Sequence, residues 1–106
     1  MSDREKRTAT NEALFREVNE RLEDRVQVAL GDHATFAPLC ECADADCTER
    51  IVMTPAEYEE AHADPTQFIV LDGHVATDIE DEVMRNDRFV VVRKRGLAGE
   101  IAEALD

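Results

Sequence analysis

The sequence has few basic residues for its length. Of 106 residues, 12 are Lys or Arg and 25 are Asp or Glu, which gives a net charge of −13. A nucleic-acid backbone or an anionic lipid surface is repelled by such a charge, which argues against direct binding to either. The acidity keeps the chain soluble, and it also permits a protein partner with a basic surface or mimicry of nucleic acid.

Long apolar segments are also missing. No run approaches the roughly 18 apolar residues that a membrane span needs, and the charged stretch from Met1 to Phe15 lacks the apolar region of a secretory signal. We therefore expect a cytoplasmic protein, in a compartment where thiols stay reduced.

Signatures of common enzymes are absent from the sequence as well. The chain contains no Gly-rich phosphate loop, no His-Glu-x-x-His motif, no Gly-x-Ser-x-Gly elbow and no zinc-deaminase pattern. The sequence therefore predicts a binding or regulatory role and not an enzyme.

Three cysteines lie within eight positions, at Cys40, Cys42 and Cys47. An odd number leaves no complete disulfide pairing, and in a reducing compartment such a cluster is typical of metal ligands. Zinc prefers four tetrahedral ligands, commonly thiolate sulfur and imidazole nitrogen. The small and acidic residues before Cys47 allow a tight loop, whose short length keeps the entropy cost of closure low.

The fourth ligand has three candidates. His74 follows an apolar run and a Gly turn, which places it at the end of a sheet, whereas His33 lies in the loop after the first helix and His62 at a polar helix end. We predict His74, with His33 as the alternative. Three thiolates make zinc a poor Lewis acid, so the predicted ion is structural. The predicted zinc ligands are Cys40, Cys42, Cys47 and His74.

The same cysteines admit a second interpretation, a thiol redox or metal-responsive switch in which Cys40 and Cys42 pair and Cys47 resolves the intermediate. No basic residue lies in the loop to lower a thiol pKa, and two aspartates would raise it. If the zinc were catalytic, Glu41 would be the candidate general base.

Periodicity predicts an α+β domain with a small sheet of about four strands and a long N-terminal helix packed on one face. We expect a flexible segment over residues 1–9 and a single zinc-stabilised domain over residues 10–106. The first helix should span residues 10–30, stop at Gly31 and bury an apolar face. That face contains Phe15, Val18, Leu22, Val26 and Ala29.

Shorter elements follow the first helix. Thr54-Pro55-Ala56-Glu57 is a capping box with Pro at the first helical position, and Thr77 to Glu80 is a second candidate box. The basic run at residues 93–95 is predicted to be exposed on an edge strand, so loss of Lys94 should change stability little. The predicted strands are 35–40, 48–53, 67–71 and 89–93, and the predicted helices are 55–63, 77–85 and 97–105.

The Cys-Glu-Cys at residues 40–42 and the Cys-Thr-Glu-Arg-Ile at residues 47–51 resemble an uncharacterised family of small bacterial proteins. These proteins share a Gly-His similar to Gly73-His74, and a Gly-x-x-x-Glu-Ile-Ala segment, here residues 96–102. The resemblance covers most of residues 13–104. It implies no activity, but it favours His74 over His33. The sequence as a whole predicts a small acidic zinc-binding protein that serves as a protein-interaction or regulatory module.

Overall fold

A computed structural model describes residues 3–44 and 46–96. In chain order, its elements are helix α1 (Asp3–Leu30), helix α2 (Pro55–Ala61), and strands β1 (Gln67–Val70), β2 (Glu80–Arg85) and β3 (Val90–Lys94). Within these residues, the strands form one antiparallel sheet in the order β1-β3-β2. The α+β prediction is confirmed, with three strands instead of about four. The helix predicted for residues 97–105 lies outside the described residues.

Helix α1 has 28 residues and begins earlier than the predicted start at residue 10. It ends where the sequence predicts, because Gly31 adopts a φ of +88° that other residues rarely accept. The amide of Gly31 donates to the carbonyl of Gln27 at 2.9 Å, which closes the last turn. No helix within the described residues is long and apolar enough to cross a membrane.

The buried face of α1 is polar, which the apolar stripe did not predict. Glu12, Arg16, Asn19 and Glu23 are each at most 3% exposed, and their spacing of four, three and four residues places them on one face. Of the predicted apolar stripe, Leu22 and Val26 are half-buried and pack against the core, whereas Val18 is 39% exposed. The polar face is buried because its partners are polar: Arg16 donates to the carbonyl of Pro65 at 2.7 Å, and Asn19 bonds both backbone groups of Leu39.

Residues 35–40 and 48–53 run antiparallel but do not form regular strands. They share two isolated bridges, Phe36 with Met53 and Leu39 with Arg50. Pro38 lies between the bridges and has no N–H to donate, although its carbonyl accepts from Ile51 at 2.9 Å. The missing donor explains why the two predicted strands, 35–40 and 48–53, are reduced to single bridges.

Helix α2 forms as its capping box predicts. The Thr54 hydroxyl accepts from the Glu57 amide at 3.1 Å, and the Glu57 carboxylate accepts from the Thr54 amide at 3.0 Å. Pro55 occupies the first turn, where its missing N–H costs no hydrogen bond. Beyond β1, the predicted turn is present: Gly73 has a φ of +84°.

The helix predicted for residues 77–85 is wrong, because residues 80–85 form β2. Strand β2 pairs with β3 through Glu80 opposite Lys94, with a register shift between Glu82 and Met84. Asn86 closes the hairpin, since its side-chain oxygen accepts from the amide of Phe89 at 2.9 Å. Cross-strand pairing with β3 therefore overrides the local helix signal.

Lys94 is buried, which corrects its predicted exposure. Its neighbours Arg93 and Arg95 are exposed, because side chains alternate along β3. The Lys94 ammonium contacts the carboxylates of Glu12 on α1 and Glu80 on β2. Burial raises the pKa of Glu12 well above its usual value, although Lys94 acts in the opposite direction. This cluster ties α1 to the sheet.

Candidate metal centre

The segment Cys40-Glu41-Cys42 lies along the free edge of β1. The Glu41 amide donates to the carbonyl of Ile69 at 2.8 Å, and the Cys40 amide donates to the carbonyl of Glu49 at 2.9 Å. Side chains two residues apart in an extended segment point the same way, and the residue between them points the other way. The two cysteines therefore reach one cluster, while Glu41 enters the core.

A tight turn brings the third sulfur to the same place. The Cys47 amide donates to the carbonyl of Asp44 at 3.1 Å, and the Asp46 amide donates to the Asp44 carboxylate at 2.9 Å. The Sγ of Cys42 lies 3.8 Å from the same Asp44 carbonyl. The Asp44 side chain and backbone thus organise the return of the chain toward Cys42.

His74 reaches the cluster through the turn that follows β1. Its amide donates to the carbonyl of Leu71 at 3.0 Å, and its Nδ1 lies 3.7 Å from the Sγ atoms of both Cys40 and Cys47. On the other side of the ring, Nε2 lies 3.3 Å from a carboxylate oxygen of Glu49. Such a carboxylate fixes the orientation of an imidazole and turns its free nitrogen toward a metal.

The four ligand atoms converge as one metal ion requires. One sulfur or nitrogen from each of Cys40, Cys42, Cys47 and His74 lies within 4.8 Å of all the others. For zinc bonds to sulfur and nitrogen, the corners of a tetrahedron lie about 3.5 to 3.8 Å apart. The 3.7 Å separations from His74 fit this range. All three cysteines are free thiols.

The structure separates the three histidine candidates. His74 joins the sulfurs, whereas His33 is exposed in the loop after α1. His62 lies 2.6 Å from Glu41 and faces away from the cysteines into the core network described below.

The thiols share their protons unequally. The pKa of Cys42 is lowered to about 5, mainly by a hydrogen bond from Cys40 and further by a hydrogen bond with His74. The same hydrogen bond, followed by burial, raises the pKa of Cys40. Burial raises the pKa of Cys47. Of the three thiols, Cys42 is therefore the one most readily deprotonated, and a thiolate is the form that binds a metal.

Glu41 is the centre of a buried hydrogen-bond network. One carboxylate oxygen accepts from the amide of Ile69 at 3.0 Å and from His62, and the other accepts from Asn19 and Tyr58, each at 2.9 Å. Because four donors occupy both oxygens, Glu41 is not placed to act as the general base suggested by its position in the sequence. It anchors the cysteine segment to the core.

His62 is the cationic partner of Glu41. Its Nδ1 lies 2.8 Å from the carbonyl of Tyr58 and its Nε2 lies 2.6 Å from the Glu41 carboxylate, so both nitrogens face acceptors. Both must carry protons, which makes the ring an imidazolium. Burial lowers the pKa of His62, but the charge and hydrogen bond of Glu41 outweigh it and the net pKa is raised.

Sequence reasoning missed the supporting residues Glu41, Glu49, His62, Asn19 and Tyr58. A carboxylate between two candidate ligands was a visible signal, since alternation predicts that it faces the opposite side. The partners of Glu41 on α1 and α2 could not be identified in this way, because the sequence around them does not show which helix faces pack together.

No protein-family model, no curated protein and no solved structure matches this chain. The geometry of the site therefore carries the functional interpretation.

Proposed function

We propose that Cys40, Cys42, Cys47 and His74 bind one structural zinc ion, and that the chain is a small acidic interaction or regulatory module of the cytoplasm. The observation that carries the proposal is the convergence of three sulfurs and one imidazole nitrogen within 4.8 Å of one another, with the Nδ1 of His74 3.7 Å from the Sγ atoms of Cys40 and Cys47. Zinc suits this donor set because it accepts thiolate and imidazole together in a four-coordinate site.

The structural role of the zinc follows from the ligand set. Four protein ligands fill a tetrahedral shell, whereas a catalytic zinc keeps one position for water or substrate. The nearest buried carboxylate, Glu41, already accepts four hydrogen bonds. A domain of this size also has a small core, so binding energy from a metal contributes directly to folding. We therefore propose a role without catalysis.

An interaction role is supported by the surface charge. A net charge of −13 favours approach of a basic protein surface and disfavours nucleic acid and anionic membranes. The proposed partner is therefore a protein with a cationic contact surface.

The redox switch is the competing function, and burial weighs against it. Cys40 is 0% exposed and Cys42 is 2% exposed, so an oxidant would reach these sulfurs only after local opening. Cys47 alone of the three is partly exposed. Full retention of the metal under millimolar peroxide would support the structural role, and its release would support the switch.

Native mass spectrometry of the purified, untagged protein tests the proposal. We expect one zinc ion per chain, removed by a chelator and bound more weakly in His74→Ala. The matched control is His33→Ala, which removes an exposed imidazole outside the cluster. Absence of metal from freshly purified, reduced protein would overturn the proposal. Equal zinc affinity in His74→Ala and the wild type would remove His74 from the ligand set.

A further inference from the structure

A second polar site lies between the two helices. It is a cavity of about 220 Å³. Helix α1 contributes Glu20, Glu23 and Asp24 to its wall, and the segment from α2 to its C-cap contributes Tyr58, Glu59 and His62. None of these residues belongs to the cysteine cluster.

The wall of this cavity carries an excess of negative charge. Four of the six lining residues are carboxylates, none is Lys or Arg, and the imidazolium of His62 offsets one charge. Packing α1 against α2 thus brings like charges together. A bound cation would relieve the repulsion between them.

The buried carboxyl group of Glu23 is a second, independent observation that points to a ligand in this cavity. Only 2% of the residue is exposed, and no N–H or hydroxyl donor within the described residues reaches its buried Oε2 atom. A buried acceptor without a donor destabilises the folded state. Burial, followed by a hydrogen bond with Glu59, raises the pKa of Glu23 to about 8. Near neutral pH Glu23 therefore keeps a proton, which it donates to Glu59, and a bound cation would take the place of that proton.

The chemistry of the wall favours an organic cation over a metal ion. Among the described residues, the cysteine cluster is the one group of three or more ligands close enough to hold a metal. The pocket instead places carboxylates around the stacked rings of Tyr58 and His62, whose centroids lie 4.0 Å apart with an interplanar angle of 28°. A planar guanidinium presents several N–H donors in a fixed fork and tolerates aromatic neighbours.

We propose that this pocket binds a guanidinium group, which donates to the unpartnered oxygen of Glu23 and to the exposed carboxylate of Glu59. The guanidinium belongs either to a small molecule or to an arginine side chain of a polypeptide. The site is independent of the metal centre in its ligands. It adjoins the centre through His62, which pairs with Glu41 between Cys40 and Cys42.

The test is a titration of the purified protein with methylguanidinium, followed by ¹H–¹⁵N correlation spectra at constant ionic strength. We expect saturable shifts of the amides of Glu23, Glu59 and His62. In Glu23→Gln and Glu59→Gln the affinity should fall about tenfold, because each change removes one charge-assisted hydrogen bond. Glu59 is exposed, so its variant keeps the test valid if Glu23→Gln does not fold.

The matched control variant is Glu60→Gln, which removes an exposed charge from the same helix but outside this pocket. The matched control ligand is tetramethylammonium, which has the same charge and no N–H donors. Equal shifts with tetramethylammonium, or unchanged affinity in both Glu23→Gln and Glu59→Gln, would overturn the proposal. Zinc content is measured on the same samples. A failure to bind guanidinium can then be distinguished from a failure to bind zinc.

A second titration identifies the source of the guanidinium. It compares methylguanidinium with the peptide Gly-Arg-Gly and its analogue Gly-Lys-Gly. Tighter binding of Gly-Arg-Gly than of either other ligand supports an arginine side chain of a polypeptide. Equal binding of methylguanidinium and Gly-Arg-Gly supports a small molecule. Equal binding of Gly-Lys-Gly and Gly-Arg-Gly would overturn the preference for guanidinium.

Discussion

Glu41 and His62 form a buried ion pair, with 2.6 Å between the carboxylate Oε1 and the imidazole Nε2. Glu41 stands between two candidate metal ligands, and His62 is the C-cap of α2. The pair therefore joins the Cys40-Cys42 segment to α2, while Asn19 joins the same carboxylate to α1. The candidate metal centre rests on a hydrogen-bonded framework and not on a loop alone.

We predict that Glu41→Gln destabilises the protein by about 3–5 kcal/mol, because His62 would either hold a buried charge without its partner or give up its proton and a hydrogen bond. The amide of Gln would also point a donor at groups that themselves donate. Urea unfolding at neutral pH measures the loss. The control is Glu60→Gln, a surface change on α2 that should fall within about 0.5 kcal/mol of the wild type. A similar result for Glu41→Gln would show that the ion pair contributes nothing to stability.

We predict that Cys42→Ser lowers both zinc affinity and stability. Serine oxygen is a poor substitute for thiolate, and metal-binding energy is folding energy in a small zinc domain. Metal content by mass spectrometry and the melting temperature check the two effects. Thr48→Ser is the control, since Thr48 is exposed and lies beside Cys47 without belonging to the cluster. A wild-type melting temperature in Cys42→Ser would contradict a structural zinc.

We predict that Glu23→Gln stabilises the protein at high pH. The folded pKa of about 8 lies above the ordinary 4.5, so this group's contribution is complete below 4.5 and is lost as the pH rises through 8. Gln mimics the protonated carboxyl and does not titrate. Its advantage should therefore grow across this window to about 1–2 kcal/mol, the cost of an unpaired buried acceptor.

Unfolding free energies of wild type and Glu23→Gln, measured at several pH values, check this prediction. Comparison of the two proteins cancels the pH dependence of the groups that they share. Asp24→Asn is the control, because it removes an exposed carboxylate from the neighbouring position. A constant difference between wild type and Glu23→Gln at all pH values would contradict the raised pKa.

We predict that Lys94→Ala destabilises the protein by about 3–5 kcal/mol, because the carboxylates of Glu12 and Glu80 would lose their buried counter-ion. Chemical denaturation measures the loss, and Arg93→Ala on the exposed side of β3 is the control. Adding Glu12→Gln to Lys94→Ala should recover part of the stability, since it removes one stranded charge. Equal losses in Lys94→Ala and Arg93→Ala would contradict the buried cluster.

The features that the sequence predicted well depend on neighbours in the chain. The end of α1 at Gly31, the capping box at Thr54 and the turn at Gly73 each follow from local backbone chemistry. The convergence of the cysteines was predictable for the same reason, because a short loop closes at low entropy cost. The placement of His74 followed from the apolar strand and the Gly turn that precede it.

The features that the sequence mispredicted depend on partners far along the chain. Residues 80–85 carry a helix-start signal but become a strand because β3 supplies a hydrogen-bonding edge. Glu41 and His62 are 21 residues apart, and Arg16 reaches a carbonyl 49 residues away. A buried polar group is stable only when it has such hydrogen-bond or charge partners. The spacing of residue types along the chain does not show which distant partners a side chain will contact. The sequence by itself thus determined the end of α1, the start of α2 and the clustering of the candidate metal ligands, whereas the tertiary structure alone decided which charges enter the core.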